Sequence, residues 1–227
     1  MQLKILSWNI WYDCKFQETI KFLKTSNADI IGLQEVVSND LTRDVIGYLK
    51  KFGYDHVFSP ALKLEDDRTV GNAIFSKYKI IKNEVYNLSE EKSRNAVKVE
   101  VNINRKVLNI FNTHLLHTHQ KFSAIQDTQV DSLIKVLPSD HLVLMGDFNA
   151  IPDSSVIRKM RDVLVDTDPS SKPTWSIYPE GCPTCNPQAL DTRLDYIFTS
   201  KDMKTHSFNV EQANGSDHLP ISVFFEI

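Results

Sequence analysis

From Ala73 to Thr113 the chain runs through strand-like segments at Ala73 to Ser76, Ala96 to Ile103 and Val107 to Thr113, a meander without room for crossover helices. In the second, Val97, Val99, Val101 and Ile103 alternate with polar residues, as in a strand buried on one face. Further strand-like runs lie at Leu3 to Ile10, Ala28 to Gln34, His141 to Gly146, Leu194 to Thr199 and Ile221 to Ile227. Helical spacing links Phe16, Ile20 and Leu23; Leu41, Val45, Leu49 and Phe52; and Phe122, Ile125, Val130, Leu133 and Leu137. A last helix is expected over Val156 to Leu164. The interleaving, with a helix-free middle, predicts an α/β sandwich built on mixed sheets rather than a doubly wound parallel sheet.

With 227 residues, no internal repeat and no shift in composition, one domain over residues 1–227 is expected. Hydrophobic residues make up 41% and charged residues 24%, ordinary values for a soluble protein. Apolar runs such as Leu142 to Met145 are far too short to span a bilayer, so no stable membrane insertion is expected. The segment Met1 to Asn9 reads as strand, not as a secretory signal. Cys14, Cys182 and Cys185 cannot all pair within one chain, which favours a reducing, cytoplasmic setting. A net charge of -3 gives no overall field to gather long nucleic acids, and leaves a local basic groove open. A monomer is expected.

The chemistry-bearing residues fall where strands end. Asn9 and Glu35 close two apolar strands, and Asp147 with Asn149 follows a third. Asp195 sits inside the apolar run Leu194 to Phe198, where a charge is costly unless paired, and Asp217 and His218 precede Leu219-Pro220. Singly, each could be a turn or cap residue.

Together they form an ordered series: Trp8-Asn9, Leu33-Gln34-Glu35, Thr113-His114-Leu115, Gly146-Asp147-Phe148-Asn149, Arg193-Leu194-Asp195-Tyr196 and Ser216-Asp217-His218. The series resembles the signature blocks of the endonuclease/exonuclease/phosphatase (DNase I-like) superfamily. That resemblance implies a four-layer α/β sandwich, two packed mixed β-sheets flanked by helices, and a metal-dependent phosphodiesterase. It implies that Asp147 orients or deprotonates the attacking water and Asn149 positions it. His218 would lie against the phosphate, with Asp195 fixing its tautomer. His114 would contact the phosphate or protonate the leaving group. Asn72 and Arg94 match positions that sometimes touch substrate. A hard cation is needed to neutralise the phosphate oxygens. Mg2+, with Mn2+ as a substitute, suits the oxygen ligands of Glu35, Asn9 and Asp217, whereas zinc would call for Cys and His.

Two further motifs extend beyond that series. His114-x-x-His117-x-His119 has the form of a metal cluster but, without nearby carboxylate ligands, reads as solvated loop residues within reach of substrate. Cys182-Pro183-Thr184-Cys185 has redox or zinc-knuckle spacing. No second cysteine pair and no thioredoxin-like unit accompany it, so a loop disulfide or plain thiols is expected ahead of zinc.

Thr113-His114-Leu115 departs from the Tyr-x-Pro-Asn of exonuclease III-type apurinic endonucleases, and is the form shared by enzymes acting on DNA, RNA, sphingomyelin and inositol phosphates. Three readings follow: a phosphodiesterase of nucleic acid or a nucleic acid adduct, which leads; a hydrolase of phospholipid or a small phosphoester; and a non-catalytic binding relative. Specificity is expected in the loops Ser59 to Val70, with Glu65-Asp66-Asp67-Arg68, Tyr86 to Asn95, and Asp166 to Ala189. Within the last, Trp175 reads as an anchor to the core, and Tyr178 as an anchor or a base-stacking ring.

Overall fold

A computed structural model describes residues 2–12, 15–64, 66–91, 93–178 and 182–226. Cys14 and Glu65 lie outside them. The strands are β1 (Gln2–Asn9), β2 (Ile30–Ser38), β3 (Asp55–Lys63), β4 (Thr69–Ser76), β5 (Ile80–Ser89), β6 (Arg94–Ile103), β7 (Lys106–His114), β8 (Leu142–Asp147), β9 (Val165–Asp166), β10 (Asp195–Thr199), β11 (Lys204–Val210) and β12 (Ile221–Glu226). The helices are α1 (Phe16–Thr25), α2 (Val45–Lys51), α3 (Ala124–Ile134) and α4 (Ser155–Val163).

The strands form two six-stranded sheets, ordered β11-β12-β1-β2-β4-β3 and β5-β6-β7-β8-β10-β9. Each sheet has one parallel pair at its centre, β1 with β2 and β7 with β8; every other pairing is antiparallel. The predicted meander is divided: β4 lies in the first sheet, and β5, β6 and β7 are consecutive in the second.

Side-chain alternation builds the layers. Leu3 and Ile5 of β1 join Val97, Val99, Val101 and Ile103 of β6 in a core between the sheets, while Leu6 and Trp8 face the other way, with Ile20 and Leu23 of α1 and Val45 and Leu49 of α2. On the outer face of the second sheet, Phe111 and Leu144 pack with Val130 and Leu133 of α3 and Ile157 and Met160 of α4. The result is helices, sheet, sheet, helices, the expected four-layer sandwich. The inter-sheet layer also holds a polar tie, in which Gln34 Nε2 donates to Asn112 Oδ1 at 2.6 Å and Asn112 Nδ2 donates to the carbonyls of Leu33 and Ala73.

Two expected helices are shorter than the apolar spacing suggested. Leu41 and Phe122 are 98% and 79% exposed and precede the N-caps Asp44 and Ser123, whose side chains accept from Gly47 N and Gln126 N. Among the described residues, no helix is long and apolar enough to cross a membrane.

Candidate active site

The central parallel pairs deliver the polar residues to one end of the sandwich. Asn9 ends β1 beside Gln34, and the β2–β4 register shifts between Leu33 and Val36. That bulge places Glu35 at φ 58, in the left-handed region, and re-aims its side chain. His114 ends β7 directly opposite Asp147, the last residue of β8. Gly146, at φ 152, lets β8 approach β7 closely: a Cβ there would lie 2.0 Å from Thr113 O.

The segment Ser216-Asp217-His218 is tied to β1 by two hydrogen bonds and braced by one of its own. Ser216 Oγ donates to Asn9 O, Trp8 Nε1 donates to His218 O, and His218 N donates to Ser216 Oγ. His218 Nδ1 then lies 2.8 Å from Asp195 Oδ2, and its Nε2 lies 3.8 Å from Asp147 Oδ2. Burial opposes protonation of His218, but Asp195, Asp147 and Asp217 together outweigh it and raise its pKa well above the ordinary value. Asp147 is shifted upward, mainly by burial, although His218 and hydrogen bonds from Asn9 and the Asn149 amide pull the other way. His114 is shifted well downward by burial, with the charges of Arg94, His218 and His117 adding to the effect.

Asn9 Nδ2 donates to both Glu35 Oε1 at 3.1 Å and Asp147 Oδ2 at 3.0 Å, bridging the two sheets. Asn149 is similarly shared. Its Nδ2 donates to Leu115 O and His114 Nε2, and its Oδ1 lies 2.8 Å from His117 Nδ1.

These groups line a cavity of about 200 Å³ with Arg94, Trp11, Tyr12 and Asp217. Among the described residues, Arg94 Nε is buried and has no hydrogen-bond partner, and burial lowers the Arg94 pKa against the pull of Glu35 and Asp147. A second cavity, of about 300 Å³, shares Tyr12, Glu35, Arg94 and His114 and continues over Ala61, Leu62, Leu64 and Val70. A half-buried cationic side chain with an unused donor at Nε, lining a cleft together with carboxylates, is suited to an anionic group held beside a cation.

A model of the Endonuclease/Exonuclease/phosphatase family matches residues 6–218. The chain belongs to that family. The activities it is named for all cleave phosphoesters, and the chain is a phosphoester hydrolase of the endonuclease/exonuclease/phosphatase class. No curated protein sequence matches it significantly. Among solved structures, an endonuclease/exonuclease/phosphatase from Beutenbergia cavernae superposes with a TM-score of 0.83 at 18% identity, over 100% of this chain and 72% of that one. The zebrafish (D. rerio) TDP2 complexed with single-strand DNA product gives 0.76 at 18%, over 100% and 99%. ANGEL2, a 2',3'-cyclic phosphatase in complex with adenosine-2',3'-vanadate, gives 0.75 at 17%, over 99% and 95%. At these identities the structures show a shared endonuclease/exonuclease/phosphatase fold.

Against the sequence expectations, the fold gathers Asn9, Glu35, Arg94, His114, Asp147, Asn149, Asp217 and His218 around one cavity, with Asp195 behind His218. Asn72 stands apart, lining the second cavity while its amide donates to Asn95. Trp175 is an anchor: it is buried, and its Nε1 donates to Asp217 Oδ2. Tyr178 stacks near Trp11, at 6.4 Å between ring centroids, under Lys15 Nζ. The histidine motif requires correction. His114 is buried in the site and His117 is partly buried on Asn149; of the three only His119 is exposed. Sequence reasoning also missed Thr174, whose Oγ1 donates to Asp195 Oδ2 at 2.6 Å and accepts from the amides of Leu194 and Asp195. Trp11 and Tyr12 were missed too, although they follow Asn9 directly in sequence.

Proposed function

We propose that this enzyme is a Mg2+-dependent phosphodiesterase acting on nucleic acid or a nucleic acid adduct. The observation that carries the reading is the placement of His218, backed by Asp195, and Asp147 on the cavity that also holds Glu35 and Arg94, whose Nε has no hydrogen-bond partner among the described residues. His218, charged through Asp195, and Arg94 offer donors to the phosphate oxygens, where negative charge grows as the bond breaks. Asp147, with its proton affinity raised by burial, takes a proton from the attacking water as its oxygen bonds to phosphorus and the P–O bond to the leaving group breaks. Asn149 and neutral His114 fix the water and a phosphate oxygen.

On the Glu35 side the cavity lining offers oxygen donors: the Glu35 carboxylate, Asp217 and Asn9, whose amide nitrogen faces Glu35 here while its Oδ1 accepts from Trp11 N, so that the amide would turn over to present its oxygen to a cation. This set fits a hard divalent cation that keeps most of its waters, Mg2+ or, in its place, Mn2+. When bound, the cation neutralises charge on the phosphoryl and leaving oxygens. Asp147, Asp195 and His218 also bring ligand atoms within 4.8 Å of one another. We read that trio as carrying a proton rather than a metal, because His218 Nδ1 is committed to Asp195.

The nucleic acid substrate is supported by Trp11, an aromatic ring that lines the catalytic cavity next to Tyr178 and on which a base can stack, and by the likeness to TDP2, solved with a single-strand DNA product. The apolar lining of the second cavity by Leu62, Leu64 and Val70 favours a second reading, a phospholipid or other small apolar phosphoester. Hydrolysis of a panel distinguishes them: single- and double-stranded DNA, RNA, a 5'-tyrosyl oligonucleotide, sphingomyelin and phosphoinositides, each with Mg2+, with Mn2+ and with EDTA. Cation-dependent cleavage of an oligonucleotide supports the proposal. Turnover of the lipids alone transfers the enzyme to the second reading, and full activity in EDTA removes the cation from it.

A further inference from the structure

Sixty-odd residues apart in sequence, the strand-to-helix loop after β7 and the long loop after β9 meet at four side chains that the hydrolytic site does not use as reacting groups: His117, His119, Cys182 and Cys185. Their ligand atoms all lie within 4.8 Å of one another. His117 Nε2 is 3.1 Å from His119 Nδ1 and 3.3 Å from Cys185 Sγ. His119 Nδ1 is 3.1 Å from Cys185 Sγ, and Cys182 Sγ is 3.7 Å from each of the two ring nitrogens. A tetrahedral zinc ion, with Zn–N of about 2.0–2.1 Å and Zn–S of about 2.3 Å, sets its N···N edge at about 3.3 Å and its N···S edges at about 3.6 Å. The observed N···N and N···S spacings match those edges to within about half an ångström, and the S···S edge, closed here by the Cys182–Cys185 disulfide, opens on reduction. The cysteine pair that lacked a second pair of ligands in the sequence therefore has one, supplied by histidines.

Two further features prepare the ligands. The carbonyl of Leu115 can only accept, so the Asn149 amide nitrogen points to it and Asn149 Oδ1 faces His117 Nδ1. His117 must donate from Nδ1, which leaves the lone pair of neutral imidazole on Nε2, the atom turned toward the two sulfurs and His119. A metal-binding histidine is typically held in this way, by a hydrogen bond from its other ring nitrogen. Around the sulfurs, Cys182-Pro183-Thr184-Cys185 folds into a turn in which Cys185 N donates to both Cys182 O and Cys182 Sγ. A backbone donor aimed at sulfur stabilises a thiolate.

We infer that His117, His119, Cys182 and Cys185 form a zinc site of the Cys2His2 kind, separate from the cation site at Glu35, which fastens the Cys182–Cys185 loop to the loop following β7. Cys182 and His117 both line the catalytic cavity, so the ion braces one wall of the cleft and, through His117, the amide of Asn149. The site belongs to the reduced chain. Cys182 and Cys185 are joined as a disulfide here, and a phosphine or thiol reductant supplies two electrons as two protons are taken up, after which zinc displaces both protons from the thiols.

The test uses full-length protein kept in a phosphine reductant and purified without chelator. Elemental analysis should find about one zinc per chain. Stripped protein titrated with Co2+ should develop the thiolate-to-cobalt charge-transfer and tetrahedral ligand-field bands, saturating at about one equivalent. Cys185→Ser and the exposed-residue variant His119→Ala should each lose both signals, while Cys14→Ser keeps them and circular dichroism shows that all three variants are folded. Absence of retained zinc together with absence of thiolate-to-cobalt bands in reduced wild type overturns the inference. So does retention of both signals by Cys185→Ser and His119→Ala. These readouts are independent of hydrolysis, so they stand or fall apart from the assignment of substrate.

Discussion

Thr174 donates its hydroxyl at 2.6 Å to Asp195 Oδ2, the same carboxylate oxygen that faces His218 Nδ1 at 2.8 Å. Asp195 is thus held from behind by a buried hydroxyl that also accepts from the amides of Leu194 and Asp195. Thr174→Val keeps the shape and removes all three bonds. We expect a loss of about 1–3 kcal/mol in denaturant unfolding, with the His218 proton lost at lower pH in an NMR titration. An unchanged His218 titration would leave Thr174 with a purely structural role.

Asp195→Asn removes the closest of the charges that favour the His218 imidazolium while preserving volume. Turnover should fall by a factor on the order of 10⁴, the scale seen when the orienting carboxylate of a serine hydrolase is made neutral. His218→Ala and Asp147→Asn should each lose activity to a similar or greater degree with cooperative unfolding intact. Near-normal kcat in either would remove that residue from the chemistry.

The two shifted groups set the pH dependence. Asp147 must be unprotonated to accept a proton, and its pKa is raised by burial, so kcat/KM should climb with pH through a value above the usual carboxylate range. His218 must keep its proton, and its pKa is raised by Asp195, Asp147 and Asp217 against burial, so the alkaline fall should come well above the ordinary histidine value. The resulting bell belongs to the interacting pair, and Asp195→Asn should draw its alkaline limb to lower pH. A limb unmoved by that variant would mean that another group titrates there.

Gly146→Ala places a methyl group 2.0 Å from Thr113 O at a φ of 152. Gly53, at φ 84, has nothing within 4 Å of a Cβ. The first substitution should cost about 1–3 kcal/mol or more from overpacking in addition to backbone strain, and the second about 1–2 kcal/mol from the backbone alone. Thermal unfolding of the two variants measures the difference, and equal shifts would show that the β7–β8 contact relaxes freely.

All eight strand-like runs in the sequence correspond to strands. The four that escaped notice, β3, β5, β9 and β11, are the four edges of the two sheets. The reason is burial. A central strand such as β1 is apolar on both faces, whereas β11 (Lys204–Val210) is mostly exposed and polar, β3 carries Pro60, and β9 is two residues long. Their hydrogen bonds come from the neighbouring strand, which leaves little mark in side-chain pattern. Charged and amide residues at strand ends were legible for a related reason, since Asn9, Glu35 and Asp147 interrupt strong apolar runs. Thr174, in a loop without periodicity, and the meeting of His117 and His119 with Cys182 and Cys185 depend on how distant loops fold back, and local spacing does not encode that.

The two parallel pairs have one more effect. Parallel strands cannot be joined by a tight turn, so Asn9 reaches Glu35 only after α1 has crossed over, and His114 reaches Asp147 only after α3 has. Asn9 then bonds Asp147 across the two sheets. The hydrolytic centre is therefore indivisible: the growing chain completes the second sheet, β5 to β10, before Asp217 and His218 have been made, and neither sheet without the other carries the full set of groups that line the cleft.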